Sequence, residues 1–307
     1  MAYAFFAAQQ TIQDCAPTLL FDCAQEIFRL TTEAWLTRAL DAAQTLFVSL
    51  ALLEIVVTGY MVWMGRRTQG NDLISQFAFK IGLLAFVLGL LSTYHYWLPL
   101  VAKGFGESAV FIGGSQVTHL SPTHLVNVGL SLFLGVLKAI GIGGDAVTFM
   151  AAIPALIILL CFVALAAHLL ITMVESYIVV TGGIFFLGFM AFRGTAPLGE
   201  SYLQYVFYVG IKLFFIILIA SVAASIGDDM VALLQGYDHL WLEVIQELFR
   251  GDPRGAADAI TSRLGFLWSM TAVAILLAGL GLHMPGRIAT QLSRNMRIDF
   301  KRVLQRL

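Results

Sequence analysis

Five ionisable side chains interrupt long apolar stretches of this sequence: Glu54, Lys80, His168, Glu175 and Lys212. Burying an ion in hydrocarbon costs about 2.5–3.5 kcal/mol. Each of these groups is therefore expected to face protein or water rather than lipid. A partner of opposite charge would lower the cost.

The spacing of these groups indicates which of them can meet. Glu54 lies about eleven residues before a short basic link, and Lys80 lies about eight residues after it. A hairpin brings both to a similar depth, so we predict that they pair. His168 and Glu175 share one helical face at i and i+7, and Lys212 is their candidate partner across the next link.

Two interpretations of the second group follow from its chemistry. Such residues can form a static polar clamp between helices, or they can line a hydrated cavity or a surface that faces another subunit. Lys138 carries less information, because its long side chain can reach an interface from within a span.

Motifs that would indicate catalysis or a cofactor are missing from the sequence. It contains no G-x-x-x-x-G-K-[ST] phosphate loop, no H-E-x-x-H, no C-x-x-C and no G-x-S-x-G. His119 and His124 are the nearest histidine pair, and no further metal ligands accompany them. We therefore expect a protein that is not an enzyme and that binds no cofactor or metal.

The composition indicates whether water or lipid surrounds these residues. Apolar residues make up 59% of the 307-residue chain and charged residues 12%, whereas soluble domains carry about 25% charged residues. The longest apolar run, Val147–Phe192, is roughly twice the ~20 residues that one straight membrane crossing requires. We predict an all-α polytopic membrane protein. Its long run must break, tilt or fold back near Pro154 or at Gly182–Gly183.

Apolar and polar segments alternate along the whole chain. The predicted segments are an external amphipathic N-terminal segment (1–43), a transmembrane hairpin (44–98), an external loop with an interfacial or spanning helix (99–146), a transmembrane core (147–226), an acidic external segment (227–263), a last transmembrane helix stopped by Pro285–Gly286 (264–285) and a basic amphipathic tail (286–307).

The distribution of basic residues predicts the orientation. The link at Arg66–Arg67 and the tail are basic, so both are expected on the cytoplasmic side, with the N-terminus outside. The number of crossings must then be odd. Five is our choice, and seven applies if Leu125–Ile142 crosses the membrane and the long run is a hairpin.

The two ends of the chain carry distinct patterns. Cys15 and Cys23 lie in the external N-terminal segment and could form one disulfide, or remain two unpaired thiols on a helix. The tail places its apolar residues on one helical face, and this favours contact with anionic lipid over an ordinary solvated helix. The basic residues of the tail are Arg287, Arg294, Arg297, Lys301, Arg302 and Arg306.

Three strings of residues carry a family resemblance that extends over roughly Gln44–Ser225. LALLEIVVTGYMVW at Leu50–Trp63, VESYIVVTGGIFFLGF at Val174–Phe189 and YLQYVFYVGIKLFFIILI at Tyr202–Ile219 resemble the TrbL family of conjugative-transfer proteins. These are VirB-type polytopic inner-membrane subunits of bacterial type IV secretion systems.

The resemblance implies a channel or scaffold subunit of the bacterial inner membrane that assists transfer of DNA or protein and biogenesis of the pilus. It implies contacts with cytoplasmic ATPases, with periplasmic stalk or pilus components, with the phospholipid bilayer and with further copies of the chain. The external segments would then be periplasmic. The alternative from the residues alone is a small-solute transporter or ion channel, since buried charges and helices interrupted by glycine suit that function also.

Overall fold

The chain folds into long helices. A computed structural model describes residues 20–64, 70–113, 121–140, 146–236 and 253–295, and it contains no strand within these ranges. The elements, numbered in chain order, are α1 (Leu20–Trp63), α2 (Gly70–Ser92), α3 (Tyr94–Ile112), α4 (Pro122–Ile140), α5 (Ala146–Gly182), a 3₁₀ segment (Gly183–Ala191), α6 (Ala196–Gly236) and α7 (Pro253–Asn295).

Within the described residues, four segments are long and apolar enough to cross a bilayer, and they confirm the predicted all-α polytopic class. The second predicted crossing, in α2, is not among them, so five crossings and their orientation stay predictions. The four candidate spans are Phe21–Met61, Ala151–Ala191, Ala196–Leu234 and Leu264–Ser293.

The longest apolar run forms α5 and the 3₁₀ helix that follows it, rather than a hairpin. Pro154 is buried inside α5 and does not end the helix. The helix instead changes at Gly182, after which nine residues continue as a 3₁₀ helix. Of the two break points that the sequence suggested, only the glycine pair alters the backbone.

The N-terminal amphipathic helix and the first crossing are continuous. Between Arg38 and Phe47 the sequence has neither glycine nor proline, so nothing interrupts the i→i−4 hydrogen bonds. The two predicted elements therefore form the single 44-residue helix α1.

The first part of the predicted external loop (99–146) is helical over residues 99–112, and the second half of the predicted hairpin (44–98) is interrupted before Leu98. The helix breaks at Thr93, whose hydroxyl donates to Gly89 O at 2.7 Å, and α3 then continues to Ile112. Ala109 of α3 is fully buried. Packing against neighbouring helices thus stabilises a stretch whose glycines and polar residues favoured a loop.

The predicted stop at Pro285–Gly286 is also wrong. Helix α7 continues through both residues to Asn295. Proline removes only one backbone donor, and neighbouring helices can accommodate the local distortion. Pro285 is buried and Ala289 is fully buried, so tertiary packing holds the helix beyond the proline.

Two apolar clusters form the core. The larger joins α3, α4, α5, α6 and α7, with Phe162, Leu165 and Ile216 at its centre. The smaller joins α1, α2 and α3 to the end of α5, the 3₁₀ segment and the start of α6. The α5–α6 pair belongs to both clusters and connects them.

Within the ambiguous stretch at Leu125–Ile142, the structure describes residues up to 140, which belong to the amphipathic helix α4. Leu125, Val128, Leu132 and Val136 are buried along one side, while Lys138 is exposed. This helix is not among the four candidate spans.

Glycines let the helices approach closely, as expected where the hydrophobic effect contributes little between helices in lipid. A Cβ on Gly129 of α4 would lie 2.7 Å from Phe162 Cβ of α5. A Cβ on Gly210 of α6 would lie 2.6 Å from Phe105 Cδ2 of α3. These contacts hold neighbouring helices in one register.

We predict that Gly129→Leu lowers the stability of the bundle, because any side chain there meets Phe162. Overpacking of this kind costs about 1–3 kcal/mol. The matched control is Gly279→Leu, since nothing lies within 4 Å of a Cβ at Gly279. Thermal unfolding in lipid nanodiscs should show a lower midpoint for Gly129→Leu than for the control. Equal midpoints would contradict close α4–α5 packing.

Candidate functional site

The shortest contact between the predicted intramembrane charges joins α5 to α6. Lys212 Nζ lies 2.5 Å from Glu175 Oε2. The Lys212 side chain is 13% exposed and that of Glu175 24% exposed. The structure thus brings together two residues that the sequence placed on facing helices, and each lowers the cost of keeping the other away from water.

Tyr205 completes the polar surroundings of Glu175. Its hydroxyl donates to Glu175 Oε1 at 2.7 Å, and its ring stacks on Tyr208 at a centroid distance of 5.8 Å. The carboxylate therefore has a donor on each oxygen. Tyr205 and Lys212 lie seven residues apart on α6, which places both on the same helical face.

His168 and Thr172 extend this face along α5. The Thr172 hydroxyl donates to His168 O at 2.9 Å and is fully buried. His168 Nε2 is buried, and no described protein atom forms a hydrogen bond with it. His168 lies two helical turns from Glu175, so the structure gives it no direct contact with the ion pair.

Glu54 forms the second buried charge contact, with a partner that the sequence analysis did not identify. Its carboxylate is 2% exposed and accepts from Arg193, through the backbone N at 3.3 Å and through Nη2 at 3.5 Å. The side chain of Lys80 lies outside the described residues, so the Glu54–Lys80 pair stays a prediction. Arg193 lies two residues after the 3₁₀ segment and could have been found only from tertiary contacts.

Two tyrosines bind the backbone where α5 ends, and sequence reasoning missed both. Tyr202 OH donates to Val179 O at 3.0 Å, and Tyr94 OH donates to Val180 O. The two hydroxyl oxygens lie 2.9 Å apart. Tyr94 is fully buried.

A crevice between α3, α5 and α6 lies beside this tyrosine pair. Seven of its lining residues carry no polar side chain, and Ser176 supplies a hydroxyl. The other lining residues are Phe105, Val179, Val180, Val206, Val209, Gly210 and Leu213. Such a lining offers no charge to guide an ionic solute.

The remaining candidate residues are the cysteines and the basic residues of the tail. Cys23 is disulfide-bonded and Cys161 is a free thiol. Cys15 lies outside the described residues, so the Cys15–Cys23 bridge stays a prediction. In the tail Arg287 is exposed. The side chain of Arg294 and all of Arg297, Lys301, Arg302 and Arg306 lie outside the described residues.

The charged side chains discussed above attach helices to one another. Among them, no group of three or more His, Cys, Asp or Glu residues is placed to hold a metal ion. The charges instead meet each other across helix boundaries. The arrangement can therefore fix α5 against α6, and α1 against the turn that precedes α6.

Comparison with known proteins gives the family context. A family model described as TrbL/VirB6 plasmid conjugal transfer protein matches residues 51–284. A probable conjugal transfer protein TrbL of Sinorhizobium fredii (strain NBRC 101917 / NGR234) is 27% identical over 229 residues, which cover 74% of this chain and 56% of the relative. A conjugal transfer protein TrbL of Rhizobium radiobacter is 26% identical over 202 residues, covering 63% and 48%. The chain spans about half the length of these curated relatives.

We predict that Lys212→Met destabilises the bundle, because it leaves the Glu175 carboxylate without its cation. Breaking one side of a buried pair costs up to about 3–5 kcal/mol. The double variant Glu175→Leu/Lys212→Met should recover most of the loss, since no unpaired charge remains. Chemical unfolding in nanodiscs measures both effects.

The control for this cycle is Arg38→Met, because Arg38 is an exposed basic residue on α1. It should change the stability by less than about 0.5 kcal/mol. A loss at Arg38→Met equal to that at Lys212→Met would show that the Glu175 contact contributes no more to stability than an exposed charge does.

Proposed function

The chain belongs to the TrbL/VirB6 family of plasmid conjugal transfer proteins. From this membership we propose that it is a multi-pass scaffold subunit in the inner membrane, at the base of a conjugative type IV secretion machine. It takes part in transfer of DNA or protein and in pilus biogenesis by holding other subunits at the membrane, and it is not an enzyme.

The observation that carries this proposal is the extent of the family match. Residues 51–284 include the whole of α2 to α6, the 3₁₀ segment and most of α7. The Glu54–Arg193 and Glu175–Lys212 contacts both lie within this region. The matched region therefore contains most of the helical bundle, including the residues of both charge contacts.

The internal pairing of these charges supports a scaffold. A solute path would need polar groups exposed along it, whereas the carboxylates of Glu54 and Glu175 are engaged by Arg193, Lys212 and Tyr205. The apolar crevice at Ser176 does not favour an ionic solute either. Both features suit a bundle whose shape other subunits can recognise.

The charges at the two ends of α6 support the proposed orientation. Arg193 precedes α6, while Asp228 and Asp229 are exposed near its end. By the positive-inside rule the Arg193 end faces the cytoplasm. The N-terminal segment and the acidic segment are then periplasmic and the basic tail is cytoplasmic.

This orientation assigns partners by chemistry. The periplasmic acidic segment suits stalk or pilus components, and the cytoplasmic tail suits anionic phospholipid or a cytoplasmic ATPase. Further copies of the chain would pack through the apolar faces of the bundle. Translocated DNA or protein contacts this assembly only transiently.

We predict that deleting the gene from its plasmid abolishes conjugation and that the intact chain restores it. A complementing copy with Lys212→Met should restore transfer poorly, whereas Arg38→Met should restore it fully. The measurement is the number of transconjugants per donor, with the membrane level of each variant checked by immunoblot. Normal transfer without the chain would refute the proposal. Solute flux through the purified chain alone in liposomes would favour a transporter instead.

We predict that a cysteine at Ser293 is protected from an impermeant thiol reagent added outside spheroplasts, because α7 ends on the cytoplasmic side. The matched variant is Asp229→Cys, which should be labelled. Both are made with Cys161→Ala, which removes the free thiol of the described residues. Labelling of Ser293→Cys alone would reverse the orientation.

A further inference from the structure

The 3₁₀ segment Gly183–Ala191 is unusually long. It has nine residues, whereas 3₁₀ helices longer than three or four residues are uncommon because their hydrogen-bond geometry is poorer than that of an α-helix. Its sequence, GIFFLGFMA, contains no proline that would prevent α-helix formation. Something outside the segment must therefore favour the 3₁₀ form.

The burial pattern of the segment fits an α-helix better than the form it adopts. Its buried residues occur at intervals of four, as Gly183 and Ile184, Leu187 and Gly188, and Ala191. In an α-helix this spacing gives one continuous face, because each step of four advances by about 40° beyond a full turn. In a 3₁₀ helix the same step advances by about 120°, so the buried residues wind around the axis.

The tyrosine pair holds the first end of the segment. The Val179 and Val180 carbonyls lie in the last turn of α5. They accept from Tyr202 OH, at 3.0 Å, and from Tyr94 OH. The Tyr202 ring also occupies the space beside Gly183. Side chains from α3 and α6 thus stabilise the point where α5 ends.

Glu54 holds the other end. Its buried carboxylate accepts from the Arg193 backbone N–H at 3.3 Å, two residues beyond the segment. Thr195 Oγ1 donates to Phe189 O at 2.8 Å, which occupies a carbonyl of the last 3₁₀ turn. Side chains outside the segment therefore bind the backbone at both of its ends.

We propose that Gly183–Ala191 is a length-changing element of the bundle, which converts between the 3₁₀ helix described here and an α-helix continuous with α5. Tyr94 and Tyr202 stabilise the extended form at one end, and Glu54 stabilises it at the other. The conversion shortens nine residues by about 4–5 Å and rotates the far end by about half a turn. It moves the Arg193 turn and the start of α6 relative to α1.

The experiment measures the distance across the segment in the full chain, reconstituted in lipid nanodiscs. Nitroxide labels go on Ile178→Cys and Leu198→Cys, which are exposed positions on either side of the segment, in the Cys161→Ala background. Pulsed electron–electron double resonance reports the distribution of distances between the two nitroxides. Tyr94→Phe/Tyr202→Phe should add a population that is shorter by about 4–5 Å.

A second variant tests the same equilibrium without removing a hydrogen bond. Gly182→Ala favours continuation of α5, since alanine is a better helix former than glycine and nothing lies within 4 Å of a Cβ at this position. It should enrich the same shorter population. If the tyrosine double variant does not fold, the distance distribution of Gly182→Ala alone tests the proposal.

Tyr205→Phe is the matched control, because it removes a tyrosine hydroxyl that bonds to Glu175 and not to the segment. It should leave the distribution of the parent unchanged. An unchanged distance in the foldable test variants, or an equal shift in Tyr205→Phe, would overturn the proposal. The measurement involves no conjugation, so its result is separate from that of the transfer assay.

Discussion

Hydrocarbon offers no hydrogen bonds, so every ion and every freed backbone group inside it must find a partner within the protein. The contact between Glu175 and Lys212 is the clearest result of that constraint. It joins the two helices that connect both apolar clusters. With this pair formed and Tyr205 bound to the second carboxylate oxygen, α5 and α6 remain adjacent with their two charges paired.

The same constraint explains the features around the end of α5. Where the α-helix gives way to the 3₁₀ segment, the Val179 and Val180 carbonyls accept from tyrosine hydroxyls of two other helices. At the following turn the Arg193 N–H donates to Glu54. An irregular backbone is tolerated here because side chains of other helices bind its polar groups. Tyr94 and Glu54 also attach α3 and α1 to the α5–α6 pair.

Sequence reasoning predicted part of the site and missed the rest for a definable reason. It placed His168 and Glu175 on one face and named Lys212 as a candidate partner, because periodicity within a helix and charge signs are local properties. It did not identify Arg193 as a partner of Glu54, and it did not identify the contact between Tyr94 and Tyr202. Those contacts join residues 139 and 108 positions apart, and no periodic pattern records such separations.

The sequence by itself determined the solvent, the helical class and the family resemblance, since apolar content, run length and local strings of residues are properties of the chain alone. Only the tertiary structure decided where helices continue or stop. Proline at 285 and the glycines of α3 favour an end or a loop locally, yet burial of Ala289 and Ala109 against neighbouring helices keeps both stretches helical. Packing energy summed over many contacts exceeds a local preference of about 1–3 kcal/mol.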